Sequence, residues 1–97
     1  MVEIVWSDLA IDDLKAMFNY IRLDSEVYAK RQVDKIIKRI DQLISSPESG
    51  RIVPEFSNQH IRELIEGNYR IVYFFDLRTV SILRIHHSSK RLKFLRE

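Results

Sequence analysis

The sequence contains no cysteine, and it has only two glycines and two prolines among 97 residues. Without cysteine there is no disulfide framework and no thiolate nucleophile, which fits a reducing compartment. Two glycines are too few for a glycine-rich phosphate-binding loop. No apolar run approaches the roughly 20 residues of a membrane span, and the N-terminus lacks the basic start and apolar stretch of a signal peptide. We therefore expect a cytoplasmic protein that has no membrane partner.

The histidines do not form a metal-binding pattern. His60, His86 and His87 have no cysteine partners, and adjacent histidines on a strand point to opposite faces of a sheet. No arrangement of Ser, His and Asp indicates a catalytic triad. The sequence therefore predicts neither a metal site nor another cofactor.

Length and charge describe a single small domain, residues 1–97, with an uneven charge distribution. The formal net charge is +2, yet residues 51–97 carry nine Lys/Arg against five Asp/Glu, while residues 1–50 carry seven against nine. A basic C-terminal half is typical of proteins with an acidic or polyanionic partner. A modest excess of this size is also found on faces that are merely solvated.

The N-terminal half is predicted to form one strand and two helices. Val2 to Trp6 reads as a short strand, Ser7 stands where a helix N-cap belongs, and the first helix is expected to end near Leu23. Ser25 is the predicted N-cap of the second helix. Because only one or two residues join these helices, they should form an antiparallel hairpin.

The second helix carries one apolar stripe at helical spacing. The stripe consists of Ala29, Val33, Ile36, Ile37, Ile40, Leu43 and Ile44. We predict that Ile37 and Ile40 lie between the hairpin and a sheet, because a helix with such a stripe must bury it. The opposite face is basic and could contact a phosphate backbone, although such faces are usually only solvated.

The C-terminal half is organised around the strand Tyr69 to Phe75. Both of its alternating sets of side chains are largely apolar, which is typical of a central strand covered on both faces. A tight turn at Gly67 and Asn68 precedes it. His60 to Ile65 and Thr79 to Ile85 are predicted as its antiparallel neighbours.

These elements predict an α+β fold, in which an N-terminal strand precedes an antiparallel helix hairpin packed on one face of a small, twisted, mainly antiparallel sheet. Arg51 to Gln59 is predicted as a loop or irregular crossover, and Lys90 to Glu97 as a basic tail.

The predicted sheet and tail carry a set of basic and aromatic side chains. They are Arg62, Arg70, Tyr73, Arg84, His87, Lys90 and Arg91. Metal-free RNA cleavage requires such groups, because a base must take the 2′-hydroxyl proton and cations must stabilise the charged phosphate. The alternative is structural: Arg70 and Tyr73 would be partly buried, and Arg62 would pair with a carboxylate such as Glu63 or Glu55.

Several short motifs occur in an order that resembles the RelE/ParE superfamily of bacterial type II toxins. They are Trp6 at the end of the first strand, PESGRIVPE at Pro47 to Glu55, IREL at Ile61 to Leu64, YRIVY at Tyr69 to Tyr73, and the stretch Ile82 to His87. The resemblance implies a growth-inhibiting toxin of a plasmid-stabilisation or addiction module. It also implies a cognate antitoxin as partner, in a hetero-oligomer.

The superfamily divides by target, and the resemblance leaves that target open. RelE-like members cleave mRNA on the ribosome, whereas ParE-like members inhibit DNA gyrase. Arg70 falls on the arginine of the family strand motif, but Ile65 stands where the nuclease pattern has an arginine. Lys90 and Arg91 match the basic tail of the nuclease pattern, but no tyrosine follows them, and His87 could replace it.

We narrowly favour a ParE-like gyrase inhibitor. The alternative is a ribosome-dependent mRNA endonuclease with Arg70, His87, Lys90 and Arg91 as catalytic residues, and a third reading is a degenerate toxin that only binds its antitoxin. Under any of these interpretations, Arg62, Tyr73 and Arg84 are predicted to bind a protein partner.

Overall fold

The computed structural model describes residues 2–88 and shows the predicted α+β fold. In chain order the elements are β1 (Glu3–Trp6), α1 (Asp8–Ile21), α2 (Glu26–Asp41), a 3-10 turn (Gln42–Ile44), β2 (Arg51–Ile52), β3 (Ile61–Glu66), β4 (Tyr69–Asp76) and β5 (Thr79–His87). The predicted basic tail, Lys90 to Glu97, lies outside the described residues.

The described strands form one five-stranded sheet in the order β1-β5-β4-β3-β2. β1 runs parallel to β5, and every other neighbouring pair is antiparallel. The sheet is therefore mainly antiparallel, as predicted. The loop prediction for Arg51 to Gln59 is wrong at its start, because Arg51 and Ile52 pair with Glu63 and Arg62 as a two-residue strand.

Serine hydroxyls begin both helices, as the sequence indicates. The Ser7 hydroxyl accepts a hydrogen bond from the backbone N–H of Ala10 at 3.0 Å, and the Ser25 hydroxyl accepts one from Tyr28 at 3.1 Å. Each bond satisfies an N–H that has no partner inside the helix. The β3–β4 turn places Gly67 at φ 60°, a conformation that glycine adopts without steric cost.

The main core lies between the hairpin and one face of the sheet. It comprises Ala10, Met17, Ile36, Ile40, Leu43, Leu64, Ile71, Tyr73, Val80, Ile82 and Ile85. Ile40 is 1% exposed, but Ile37 is 39% exposed, so the prediction for Ile37 is wrong. The inward line of α2 runs through Gln32, Ile36 and Ile40 at intervals of four residues, and Ile37 lies on the flank of that line.

A second, smaller cluster covers the opposite face of the sheet. Val53, Ile61 and Val72 are buried in it, and Phe56 packs against them from the segment between β2 and β3. The central strand β4 is therefore covered on both faces, as its two apolar sets predict.

Candidate functional site

Four charged side chains converge on the sheet face away from the helices, and we call them the arginine–glutamate cluster: Arg51, Glu55, Glu63 and Arg70. Glu63 lies at its centre, with a side chain that is 0% exposed. One carboxylate oxygen of Glu63 accepts a hydrogen bond from Nε of Arg70 at 2.5 Å, and the other accepts one from Nε of Arg51 at 2.5 Å. Both oxygens of a buried carboxylate are thus satisfied, as burial of a charge requires.

Glu55 completes the cluster from the segment between β2 and β3. Its two oxygens accept hydrogen bonds from the terminal nitrogens of Arg70 at 2.7 and 2.8 Å, a bidentate pair. The hydrogen bonds from Arg70 lower the pKa of Glu55 from 4.5 to about 2, against an opposing effect of desolvation. In turn, the hydrogen bonds to Glu55 are the main cause that raises the pKa of Arg70. All three guanidinium nitrogens of Arg70 are therefore occupied by carboxylates.

Strand register places Arg70 and His87 on opposite faces of the sheet. Tyr69 pairs with His87 across β4 and β5, and their rings lie 5.2 Å apart at 83°. Tyr69 packs against the main core on the helix side, whereas its neighbour Arg70 points to the other face. The structure does not bring these two predicted catalytic residues together. Lys90 and Arg91 lie outside the described residues.

Arg62 and Tyr73 both form hydrogen bonds with the backbone of the chain segment before β2. An Arg62 terminal nitrogen donates to the carbonyls of Gly50 at 2.9 Å and Glu48 at 3.3 Å. The Tyr73 hydroxyl donates to the carbonyl of Pro47 at 2.8 Å and accepts from the Gly50 N–H at 3.0 Å. These bonds hold the segment against the end of the sheet.

The environment of Tyr73 does not fit a direct contact with a partner. Its side chain is 0% exposed, and burial raises the pKa of its hydroxyl. A tyrosine in this position stabilises the fold from within and presents no surface in this structure.

Arg84 on β5 forms a bidentate ion pair with α1. Its Nε and a terminal nitrogen donate to the two carboxylate oxygens of Asp13 on α1, at 2.7 and 2.9 Å. One of those oxygens also accepts the backbone N–H of Ile85 at 3.0 Å. Hydrogen bonding to Asp13 raises the pKa of Arg84. Asp13 thus ties α1 to the part of β5 that extends beyond β1.

The structural alternative, in which Arg62 pairs with a carboxylate such as Glu63 or Glu55, is wrong about the arginine, because both carboxylates bond to Arg70. The alternation of side chains on β3 puts Arg62 and Glu63 on opposite faces, because successive residues of a strand point in opposite directions. Arg62 therefore bonds to backbone carbonyls, and the two carboxylates pair with Arg70. This pairing could have been predicted from the alternation of side chains, because Glu63 on β3 and Arg70 on β4 lie on the same face of the sheet.

Other surface features of residues 2–88 are less defined. An open, largely apolar pocket of about 280 Å³ lies between the helices, lined by Leu14, Lys15, Phe18, Asn19 and Val33. In the described part of the chain no three His, Asp or Glu side chains come together as a metal site. No helix there is long and apolar enough to cross a membrane.

Comparison with known proteins matches residues 4–92 to the family model described as the ParE toxin of the type II toxin–antitoxin system parDE. The chain belongs to the ParE toxin family. A curated relative, Toxin RelE2 of Caulobacter vibrioides, is 32% identical over 91 residues, which cover 93% of this chain and 99% of the relative. Membership in the RelE/ParE superfamily of type II toxins, predicted from the motifs, is thus confirmed.

Solved structures share the fold of this ParE-family chain. A chain of the chromosomal ParDE toxin–antitoxin system from P. aeruginosa superposes with a TM-score of 0.74 at 23% identity, covering 90% of this chain and 96% of the other. The YoeB dimer from Staphylococcus aureus superposes with a TM-score of 0.62 at 19% identity, covering 89% and 95%. Neighbours from both the ParDE and the YoeB systems confirm the fold and leave the cellular target open.

Proposed function

We propose that this ParE-family toxin arrests growth in the cytoplasm by inhibiting DNA gyrase, not by cutting mRNA, and that a cognate antitoxin neutralises it. The observation that carries the proposal is the state of Arg70. Its guanidinium is bonded to Glu63 and Glu55, and its side chain is only 10% exposed.

An endonuclease needs its cations and its proton-transfer groups around one phosphate. Arg70 and His87 extend from opposite faces of the same sheet, so one scissile phosphate cannot contact both. An arginine with two carboxylate partners has also lost most of its positive potential toward a third anion. The geometry of the described residues therefore supports inhibition through binding over inhibition through cleavage.

The comparisons support the same preference. The matching family model is that of ParE, and the superposition on the ParDE chain has a higher TM-score than the superposition on YoeB, 0.74 against 0.62. The structures named ParDE and YoeB–YefM contain toxin–antitoxin systems, which supports an antitoxin as the partner of this chain.

One observation favours the second candidate, a ribosome-dependent mRNA endonuclease. The curated relative carries the name RelE2 and covers almost the whole chain. Such an enzyme would have to work without Arg70, with His87 as the proton-transfer group and Lys90 and Arg91 as the cations.

Purified toxin assayed in parallel for gyrase supercoiling and for mRNA cleavage on ribosomes tests the proposal. We expect the toxin to inhibit supercoiling and to produce no codon-positioned cleavage. His87→Ala should change the inhibition of supercoiling only slightly. The matched control is His60→Ala, because His60 is an exposed histidine in the turn just before β3, and its ring contacts Phe74 and the carbonyl of Phe75. Cleavage that falls by ~10²–10⁴-fold in His87→Ala but not in His60→Ala would replace the proposal with the endonuclease.

A further inference from the structure

Glu55 is held less firmly than Glu63, the other carboxylate of the arginine–glutamate cluster. Glu63 projects from a paired strand and is 0% exposed, whereas the side chain of Glu55 is 45% exposed. Glu55 also lies in the irregular segment between β2 and β3, outside the strand ladder. Its bond to Arg70 can therefore open without breaking the sheet.

Opening that bond would leave a preorganised anion site. Nε of Arg70 would remain bonded to Glu63, which fixes the plane of the guanidinium. The two terminal nitrogens would then be directed at the place that the Glu55 carboxylate occupies. Arg51, Arg70 and Glu63 together carry one unmatched positive charge, which one carboxylate neutralises.

The neighbour of Glu55 adds a second anchor to the same segment. Phe56 is partly buried against Val53, Ile61 and Val72. The segment is thus held by one carboxylate in the Arg70 fork and one aromatic ring on an apolar patch. A partner segment that presents an acidic residue beside a large apolar residue reproduces both anchors.

We propose that the Arg70 fork is a binding site for an acidic side chain of a partner protein, and that Glu55 is its resident occupant, which the partner displaces together with Phe56. The identification of that partner as the antitoxin rests on the proposed function. A protein carboxylate fits better than a nucleic-acid phosphate, because Glu63 keeps a fixed negative charge behind the guanidinium. Exchange of one carboxylate for another leaves the net charge of the site unchanged. A nucleic acid would instead bring several negative phosphates close to the negative charge of Glu63.

The test uses a synthetic peptide that copies residues 52–59, Ile-Val-Pro-Glu-Phe-Ser-Asn-Gln, and a second peptide with Gln in place of its Glu. The receptors are the full-length wild-type protein, Glu55→Gln, and Glu55→Gln combined with Phe56→Ala. Binding is followed by the ¹⁵N resonance of the Arg70 side chain. The single substitution keeps the test valid if the double variant does not fold.

We expect the Glu peptide to bind Glu55→Gln about 10-fold more tightly than the Gln peptide does, since a charge-assisted bidentate pair is stronger than a neutral hydrogen bond. Wild-type protein should bind the Glu peptide no more tightly than Glu55→Gln binds the Gln peptide, because its own Glu55 fills the site. Glu48→Gln is the matched control, since Glu48 is exposed and only its backbone carbonyl takes part in the contacts described above. That variant should behave as the wild type does.

Equal affinity of the two peptides for Glu55→Gln, or equal affinity of the Glu peptide for Glu55→Gln and the wild type, would overturn the proposal. A ten-nucleotide single-stranded RNA that shifts the Arg70 resonance of Glu55→Gln and binds more tightly than the Glu peptide would overturn the choice of carboxylate. None of these measurements contains gyrase, ribosomes or antitoxin. Failure of the supercoiling assay and failure of the peptide assay are therefore separate results.

Discussion

Replacement of Glu63 by glutamine should destabilise the fold strongly. Each oxygen of Glu63 accepts a hydrogen bond from a different arginine, Arg70 and Arg51, at 2.5 Å. A glutamine at this position must turn its NH₂ group toward one of those donors, and it leaves the Arg70 guanidinium without its buried counterion. Removal of one partner from a buried ion pair costs about 3–5 kcal/mol. Because Arg70 keeps Glu55, we expect about 3 kcal/mol, the lower end of that range.

Urea denaturation followed by circular dichroism measures this loss. The matched control is Glu26→Gln, which breaks an exposed pair with Lys30 at 3.8 Å and should cost less than about 0.5 kcal/mol. Arg70→Met combined with Glu63→Gln should be more stable than the sum of the two single losses predicts, since the second change removes the unpaired partner. A loss below about 1 kcal/mol for Glu63→Gln, or strict additivity in the double variant, would refute the view that the cluster is a coupled buried network.

Four further substitutions test other parts of the structure. Ile40→Ala should cost ~2–5 kcal/mol in chemical denaturation, and Ile37→Ala less than about 1, so equal losses would contradict the assigned face of α2. Leu77 is 86% exposed at φ 56°, so Leu77→Asn should raise stability by roughly 0.5–1 kcal/mol, and a lower melting temperature would contradict strain there. Because the pKa of Glu55 is lowered in the folded protein, its ionised carboxylate contributes about 1 kcal/mol of stability above pH 4.5, after solvent screening, and this contribution disappears as the pH falls toward 2. Glu55→Gln should remove that part of the pH dependence of stability. A dependence of stability on acid pH equal to that of the wild type would contradict this contribution.

The elements that the sequence predicts well are those fixed by local chemistry. Ser7 and Ser25 cap their helices because a short hydroxyl side chain satisfies nearby N–H groups wherever a helix begins. The strand Tyr69–Asp76 is covered on both faces because both of its alternating sets are apolar. Neither inference requires knowledge of a distant part of the chain.

The elements that the sequence predicts poorly depend on contacts between distant residues. Ile37 belongs to the apolar stripe of α2, but the packing of α2 against distant parts of the chain decides how much of that stripe is covered. The strand Arg51–Ile52 is only two residues long and exists because β3 offers it an edge. Local propensity carries no information of this kind for so short a segment.

Glu55 is the position on which the choice of target depends. A phosphate-binding arginine must present its terminal nitrogens to the substrate, and in this protein Glu55 occupies both terminal nitrogens of Arg70 and completes a neutral cluster with Glu63 and Arg51. Glu55→Gln therefore separates catalytic from non-catalytic roles of Arg70. If the folded variant showed no ribosome-dependent RNA cleavage, Arg70 would have no catalytic role, as the gyrase proposal requires. If the variant gained such cleavage, Glu55 would be a restraint on an endonuclease, and Arg70 would have to be counted among its catalytic residues.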